Sequence, residues 1–397
     1  MNRVPEVFFV FLRLGLTSFG GPVAHLAFFH EAFVKKLKWL DEETYSDTLA
    51  LCQFLPGPGS SQLGFAIGYL RAGIPGAFAA FIAFTLPSAA LMIGFGMGML
   101  HFAPNADAPW LQGLKIAVVV VVAKAVWGMA RQLCPDRSRI TLAIACAIAM
   151  LALGTAWAQV MVIVGGGVLG AFLFRQTDAV TPATTETGKT PSRAKSGFWL
   201  VLFFVILIGL PPVATFFGWE EATFFSGFFQ AGSLVFGGGH VVLPLLRDFV
   251  VPNGWMTDDT FMAGYGAVQA MPGPLFTISA FLGTVAQNAP FGGIEGGVVA
   301  LIAIFVPSWL LVLGALPFWQ RMRGNSVFAA SLRGANAAVV GILVAALYQP
   351  VWIAGIREPQ HFIIGLILFC LVMFWKLPPW ASVIVAAGLG YVFLGFA

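Results

Sequence analysis

Long apolar runs make up most of this chain, and short Gly/Pro interruptions recur within them. Continuous apolar stretches of membrane-spanning length occupy 75–100, 110–130, 198–217 and 292–316. They do not alternate apolar and polar residues, which predicts helices and argues against a β-barrel. Further helices are expected over 4–19, 22–37, 42–54, 59–72, 139–153 and 156–174. Two breaks punctuate the first part of the chain: Phe19-Gly20-Gly21-Pro22, and Gln53-Phe54-Leu55-Pro56-Gly57-Pro58-Gly59-Ser60. In water these would be ordinary loops. In lipid each exposed backbone N–H or C=O costs several kcal/mol, so a broken helix there needs a reason.

The breaks recur later in the chain. Gly15, Phe19, Gly20 and Gly21 align with Gly232, Phe236, Gly237 and Gly238. Leu26 and Glu31 align with Leu243 and Asp248, and Glu42-Glu43-Thr44 with Asp258-Asp259-Thr260. Gln53 and Pro56-Gly57-Pro58 align with Gln269 and Pro272-Gly273-Pro274, and Pro87-Ser88 with Pro307-Ser308. Leu111, Gly113, Ala117 and Val118 match Leu332, Gly334, Ala338 and Val339. Matches kept in one order point to two homologous halves. The expected division is 1–175, a first transmembrane repeat; 176–219, a connector; and 220–397, a second repeat. The stretch 176–196, rich in Thr, Ser and Pro, reads as a flexible linker ahead of the span at 198–217.

Loop charges bear on orientation. The loop after the first broken helix carries Lys35, Lys36 and Lys38, whereas its counterpart carries Arg247. The loop 101–109 has neither Lys nor Arg, and its counterpart has Arg321 and Arg323. Arg137 and Arg139 face a counterpart with Arg357, and the uncharged loop 154–157 corresponds to one with Lys376. The bias changes sign at each pair, so the positive-inside rule predicts halves of opposite orientation. The span at 198–217 supplies the odd crossing that inversion needs, with the linker cytoplasmic. Treating each Gly/Pro-broken segment as a re-entrant hairpin predicts about nine full spans and about four hairpins, with the N-terminus cytoplasmic and the C-terminus outside.

Composition narrows the class. Of 397 residues, 59% are hydrophobic and 10% charged, against about a quarter charged in soluble proteins. The fold class is therefore an all-α polytopic membrane protein, expected as two homologous halves in inverted topology with broken or re-entrant helices. The net charge of +4 reflects cytoplasmic loops rather than nucleic-acid binding. No removable signal peptide is read at the start. Cys52, Cys134, Cys146 and Cys370 form no CxxC pair and read as small buried hydrophobes, so no metal site and no cofactor are expected. A membrane reductase would need a redox-cofactor signature that the sequence lacks, so an enzyme is not expected.

Inverted repeats with broken helices describe secondary transporters, whose substrate sites lie at the repeat interface. Half-helices starting at Pro22, Pro58, His240 and Pro274 would present free N–H groups at mid-depth, where a helix N-terminus attracts anions. Ser60, Ser61, Thr277 and Ser279 add hydroxyls in the first turns. A small anion is the expected ligand. Its candidate contacts are Gly20, Gly21, Pro56, Gly57, Pro58, Gly59 and Ser60 from the first half. From the second half come Gly237, Gly238, His240, Pro272, Gly273, Pro274 and Thr277. Arg13 and Lys115 are the candidate cations, and Lys124 lies deeper in the same run as Lys115. Glu31 and Asp248, matched acids beyond the breaks, are candidates for coupling, with helix-end solvation as the plainer role. His25, His30 and His101 are expected at the interface. A passive anion channel would use the same helix ends equally well.

The Phe19-Gly20-Gly21-Pro22 segment, the Trp39-Leu40 stretch, the Gln53 to Pro58 motif and their second-half copies resemble the chromate ion transporter family in its long, two-domain form. The resemblance covers nearly the whole chain apart from the linker. It implies chromate export across the cytoplasmic membrane of a prokaryote and chromate resistance, energised by the membrane potential or a proton gradient. It also brings in sulfate, an isosteric dianion, as a second substrate. The expected partners are the oxyanion and the bilayer, with room for a homodimer and no nucleic acid. The second copy departs from the first where Gly239-His240 replaces Pro22-Val23, which puts equal roles for the halves in question.

The loop charges generate a direct test. A cysteine placed at Asn105 is expected to react with an impermeant thiol reagent from outside, and one at Asn325 from the cytoplasm. Reaction of both from one side would contradict the inversion.

Overall fold

The structure is a computed structural model. It describes residues 3–102, 108–153, 156–175, 193–236, 239–319 and 325–394. Asn105, Gly237, Gly238, Arg321, Arg323 and most of the linker lie outside the described residues. Those described are helical, with no strand among them, and form a multi-pass membrane protein.

The first half runs α1 (Val4–Thr17), α2 (Gly21–His30), α3 (Glu42–Phe54), α4 (Gly59–Phe102), α5 (Pro109–Leu133), α6 (Arg137–Leu153) and α7 (Ala156–Leu173). A connector follows, built from α8 (Arg193–Phe204) and α9 (Leu210–Phe217), joined by a π turn at Val205–Gly209. The second half runs α10 (Glu220–Ser233), α11 (Val242–Val250), α12 (Asp258–Val268), α13 (Ile278–Val285), α14 (Gly293–Ala315), α15 (Ser326–Ala346), α16 (Pro359–Met373) and α17 (Pro379–Leu394). Among the described residues, five helices are long and apolar enough to cross a membrane: Gly59–Phe102, Pro109–Leu133, Ala194–Phe217, Gly293–Phe318 and Ser326–Gly355. Ala158–Leu173, Leu275–Val285, Pro359–Met373 and Pro379–Leu394 are apolar but shorter.

Local chemistry explains the boundaries. The Asp41 carboxylate caps α3 by accepting from the Thr44 amide at 2.7 Å, which holds its pKa below the usual carboxylate range. The Thr257 hydroxyl caps α12 by accepting from the Thr260 amide at 3.2 Å. Acids follow in both first turns, Glu42 and Glu43 in one and Asp258 and Asp259 in the other, where the helix dipole favours them. Within α4 the backbone leaves helical geometry at Ala72 and Gly73, with Gly73 at φ +68°. The element is therefore a short half-helix from Gly59 and a long helix from Ile74, as the expected helices at 59–72 and 75–100 require.

The helices pack through glycines that let backbones touch. A Cβ on Gly15 would sit 2.7 Å from the Phe84 carbonyl oxygen, and one on Gly232 would overlap the Ile304 carbonyl. Gly68 meets Gly76 backbone to backbone, as Gly283 meets Gly296. Gly113 lies against the Ala386 carbonyl, and Gly334 against that of Gly166. Apolar helices gain little from burying apolar surface in lipid, so close van der Waals packing of small residues holds such bundles. Neither hydrophobic core belongs to one half. Phe11, Phe29, Phe33 and Phe84 pack in the same core as Leu310, Leu311 and Val312 of α14. Met92 and Met99 of α4 join the larger core with Phe276 and Phe281.

The glycine contacts predict which small changes the fold rejects. Gly15→Ala and Gly232→Ala are each expected to lower stability by about 1–3 kcal/mol, the usual effect of overpacking. Gly94→Ala should be neutral or slightly stabilising, because nothing lies within 4 Å of its Cβ position. Thermal unfolding in detergent micelles reads all three; equal melting temperatures would contradict the packing argument.

Candidate functional site

The four breaks converge through hydrogen bonds that cross between the halves. α1 ends at Thr17, and the chain passes through Ser18 and Phe19 to Gly20 at φ +104° and Gly21 at φ +76°, which open α2. α3 ends at Phe54, and Pro56-Gly57-Pro58 leads into α4, with Gly57 at φ +122°. In the second half α10 ends at Ser233, and a single turn at Gly239–Val241 precedes α11. α12 ends at Val268, and Pro272-Gly273-Pro274 leads through a turn at Leu275–Thr277 into α13, with Gly273 at φ +87°. The Gly57 N–H donates to the Val235 carbonyl at 2.7 Å, and the Gly273 N–H donates to the Ser18 carbonyl at 2.9 Å. Each Pro-Gly-Pro motif thus ties to the residue just before the other half's glycine break. The positive φ at both glycines explains why no other residue type suits them.

The same glycines meet the Pro-Ser pairs of the opposite half. A Cβ on Gly57 would lie 2.7 Å from Gln62 Nε2 and 3.1 Å from Ser308 Oγ. A Cβ on Gly273 would lie 3.1 Å from Ser88 Oγ and 3.2 Å from the Phe84 carbonyl. Pro87 and Pro307 sit inside α4 and α14, where each removes a helical N–H donor. The serine after each proline therefore stands beside locally loosened backbone.

The polar groups around the two Pro-Gly-Pro motifs are incompletely satisfied, with Ser61, Gln62 and Ser308 beside the first and Ser18 and Thr85 beside the second. Ser18 Oγ, Ser61 Oγ, Gln62 Oε1, Thr85 Oγ1 and Ser308 Oγ are buried without a hydrogen-bond partner. Gln62 Nε2 donates to the Pro56 carbonyl at 2.7 Å, which fixes the side chain and leaves its oxygen over. The first i→i−4 bond of α4 runs from the Gln62 N–H to the Pro58 carbonyl at 2.9 Å, so the amides of Gly59, Ser60 and Ser61 precede the helical ladder. Buried polar groups are normally paired, and a cluster left open beside a helix N-terminus can take an anion.

The equivalent donors in the second half are occupied. Thr277 Oγ1 donates to the Pro274 carbonyl at 2.7 Å, Ser279 Oγ to that of Phe276 at 2.9 Å, and Ser88 Oγ to that of Thr85 at 3.1 Å. Exposure follows the same division. Gly20 is exposed and Pro56, Gly57 and Gly59 are half-buried, whereas Pro272, Gly273, Pro274 and Gly239 are buried. His240 is half-buried, with Nδ1 at 2.6 Å from the Tyr265 hydroxyl.

The charged candidates are dispersed. Arg13 is exposed on α1, and the Thr17 hydroxyl one turn on donates to its carbonyl at 2.8 Å. Lys115 is buried, and its ammonium pairs with Asp259 at 2.9 Å, an acid that Arg357 also contacts at 2.6 Å. Asp259 opens α12, while the Gly273 break follows that helix's other end, so the structure does not bring Lys115 to the breaks. Lys124 reaches the Val372 carbonyl at 3.5 Å. Glu31 pairs with Lys35 and Lys36, both at 3.5 Å, near the surface. Asp248 accepts from Gln159 at 2.8 Å and contacts Arg247, which also holds Asp258. The two acids, matched in sequence, thus sit in different surroundings.

Histidine placement corrects one expectation. His30 pairs with Glu42 at 2.8 Å and His101 is exposed, but His25 is not interfacial. It is 1% exposed, with Nε2 at 3.2 Å from the Ser18 carbonyl and Nδ1 at 3.3 Å from Ser60 Oγ. Sequence reasoning also passed over Gln62, Ser88 and Ser308 as site residues. The recurrence of Pro87-Ser88 as Pro307-Ser308 was the available signal. The cysteines follow expectation at Cys52, Cys134 and Cys146, which are buried, while Cys370 is exposed.

A family model described as chromate transporter matches residues 5–171 and 222–391. A probable chromate transport protein of Synechococcus elongatus is 28% identical over 396 residues, covering 96% of this chain and 94% of that protein. A chromate transport protein of Pseudomonas aeruginosa is 28% identical, covering 90% of this chain and 83% of its own. One of Cupriavidus metallidurans is 27% identical, covering 85% and 80% respectively. No solved structure matches the chain.

Proposed function

The chain belongs to the chromate transporter family, and on that premise we propose that it carries chromate out across the cytoplasmic membrane of a prokaryote, through a site at the crossing of its breaks, and so confers chromate resistance. The observation that carries this reading is the open polar cluster where Gly57 meets Ser308. A tetrahedral dianion leaving water needs its hydration shell replaced, or its burial is prohibitively unfavourable. The amides of Gly59, Ser60 and Ser61 offer donors aligned with a helix dipole. The hydroxyls of Ser61 and Ser308 add side-chain donors from both halves. Arg13, exposed on the helix that ends just before the first break, supplies positive charge. Sulfate, with the same shape and charge, fits the same donors.

Lys115 takes a structural role in this scheme, holding the start of α12 through Asp259. Two homologous halves of opposite orientation would place the more exposed first-half breaks and the more buried second-half breaks on opposite sides of one site. That difference in exposure supports a carrier with one side closed over a pore open along its length. Exchange of the two conditions between the halves would move the anion across.

The test is chromate transport in proteoliposomes. Wild-type uptake is expected to saturate and to stop when the gradient is collapsed, whereas a channel would continue down the chromate gradient. Ser308→Ala and Ser61→Ala should each raise KM by about tenfold, the worth of one hydrogen bond to a charged group, with normal insertion. Gly57→Ala and Gly273→Ala should abolish transport by separating the halves' backbones. Lys115→Ala should lower stability and leave KM unchanged. Wild-type KM in both serine variants would place the site elsewhere.

A further inference from the structure

We propose that His25 controls the anion site through Ser60, so that a proton on His25 and an anion at the break favour one another's binding. The inference rests on the site reading above and adds the residue that links it to protons. His25 lies in α2, wholly enclosed, between two elements of the site. The Ser18 carbonyl can only accept, so the His25 nitrogen facing it, Nε2 at 3.2 Å, must carry hydrogen. In the neutral ring Nδ1 is then bare, and at 3.3 Å from Ser60 Oγ it accepts that hydroxyl's proton. The Ser60 hydrogen points at the ring, and only the oxygen lone pairs face the break. An anion there meets an acceptor.

Protonation reverses the second bond without breaking the first. His25 Nδ1–H donates to Ser60 Oγ, the Ser60 hydroxyl is released, and its hydrogen can turn to the anion. The imidazolium charge adds to the attraction. No bond to the backbone is lost, because Nε2 keeps the Ser18 carbonyl, which is also the acceptor for Gly273 N–H. One ring therefore touches the first break, the first half-helix start and, through Ser18, the second Pro-Gly-Pro motif.

The surroundings leave the ring to respond to this anion. The edge-on Phe84 ring lies 5.3 Å away, centroid to centroid. On α1 the charged groups are Glu6, held by Arg71 at 3.0 Å, and the exposed Arg13. On α4 the titratable groups are Tyr69, Arg71 and His101, all beyond the first two turns. On the π turn after α2, Glu31, Lys35 and Lys36 pair with one another, and His30 pairs with Glu42. Tyr45 reaches α2 by donating to the Leu26 carbonyl at 2.6 Å. The second half has no histidine at the equivalent of His25, which is Val242, so the device belongs to the first half alone.

The experiment measures chromate affinity of the purified full chain in nanodiscs between about pH 4 and pH 8, reaching below the usual titration of histidine because the ring is enclosed. Chromate itself takes up protons there, so the readout is the ratio of wild-type to variant affinity at each pH, from which that effect cancels. At the acid end wild type should bind about tenfold more tightly than His25→Gln, the worth of one charge-assisted hydrogen bond. The ratio should fall toward one at the alkaline end. Ser60→Ala keeps the His25 to Ser18 bond, and the ratio of wild-type to Ser60→Ala affinity should rise with falling pH in the same way, which reads the switch even if His25→Gln does not fold. A ratio constant with pH in both variants overturns the inference. If Ser60→Ala weakens binding equally at every pH, the site stands and the role of His25 falls. If Ser60→Ala leaves affinity unchanged at every pH while Ser61→Ala and Ser308→Ala weaken it, the inference fails and the site stands; if all three leave it unchanged, the site reading fails as well.

Discussion

Unpaired backbone in a membrane is the constraint on which the rest of this structure depends. Four helix breaks inside an apolar bundle would leave carbonyls and amides with no water to meet them. The chain answers by pairing breaks across halves, Gly57 N–H to the Val235 carbonyl and Gly273 N–H to the Ser18 carbonyl. These two bonds require glycine at positive φ on the donor side and close passage of α4 and α14 beside it. The glycine contacts along α1, α10 and the half-helices bring those elements near enough. Neither half could satisfy its own breaks in this way, and the shared hydrophobic cores reflect the same interlocking.

The pairing also leaves the two Pro-Gly-Pro motifs in different surroundings. Around Gly273 the hydroxyls of Ser88, Thr277 and Ser279 donate to backbone carbonyls, and Pro272, Gly273 and Pro274 are buried. Around Gly57 the donors of Ser61 and Ser308 stand open and the segment is partly accessible. The Gly57 and Gly273 amides are themselves engaged, so the proposed site takes its backbone donors from the start of α4. A cradle made of the serine turn and a serine from the other half would hold an anion only while the two halves stay in register. That links occupancy of the site to the relative position of the halves.

Much of this could be read from the sequence, because it rests on local chemistry. Continuous apolar runs gave the class, Gly and Pro marked the breaks within a residue or two, and the acidic turns after Asp41 and Thr257 marked helix starts. The aligned pairs Gly15 and Gly232, or Gly113 and Gly334, make the same kind of backbone contact in each half. What sequence could not supply was the partner of each group. Lys115 looked like a free cation in an apolar run, but its acid, Asp259, lies far along the chain. His25 looked interfacial because it sits near a helix end in sequence, while in space Ser18, Ser60 and Phe84 enclose it. Thr277 looked like a donor, and its own helix turn takes that hydrogen. Such assignments depend on contacts across the fold, and no spacing rule contains them.

The central claim is that the anion binds where the first Pro-Gly-Pro motif meets the serine of the opposite half. Anomalous scattering at the chromium edge, from crystals of the full chain soaked in chromate, locates the metal atom of the substrate directly. The account expects a peak within hydrogen-bonding reach of the Ser60 and Ser61 amides and of Ser308 Oγ. A peak at Lys115 and Asp259, or beside Gly273 with the Gly57 side empty, would contradict it.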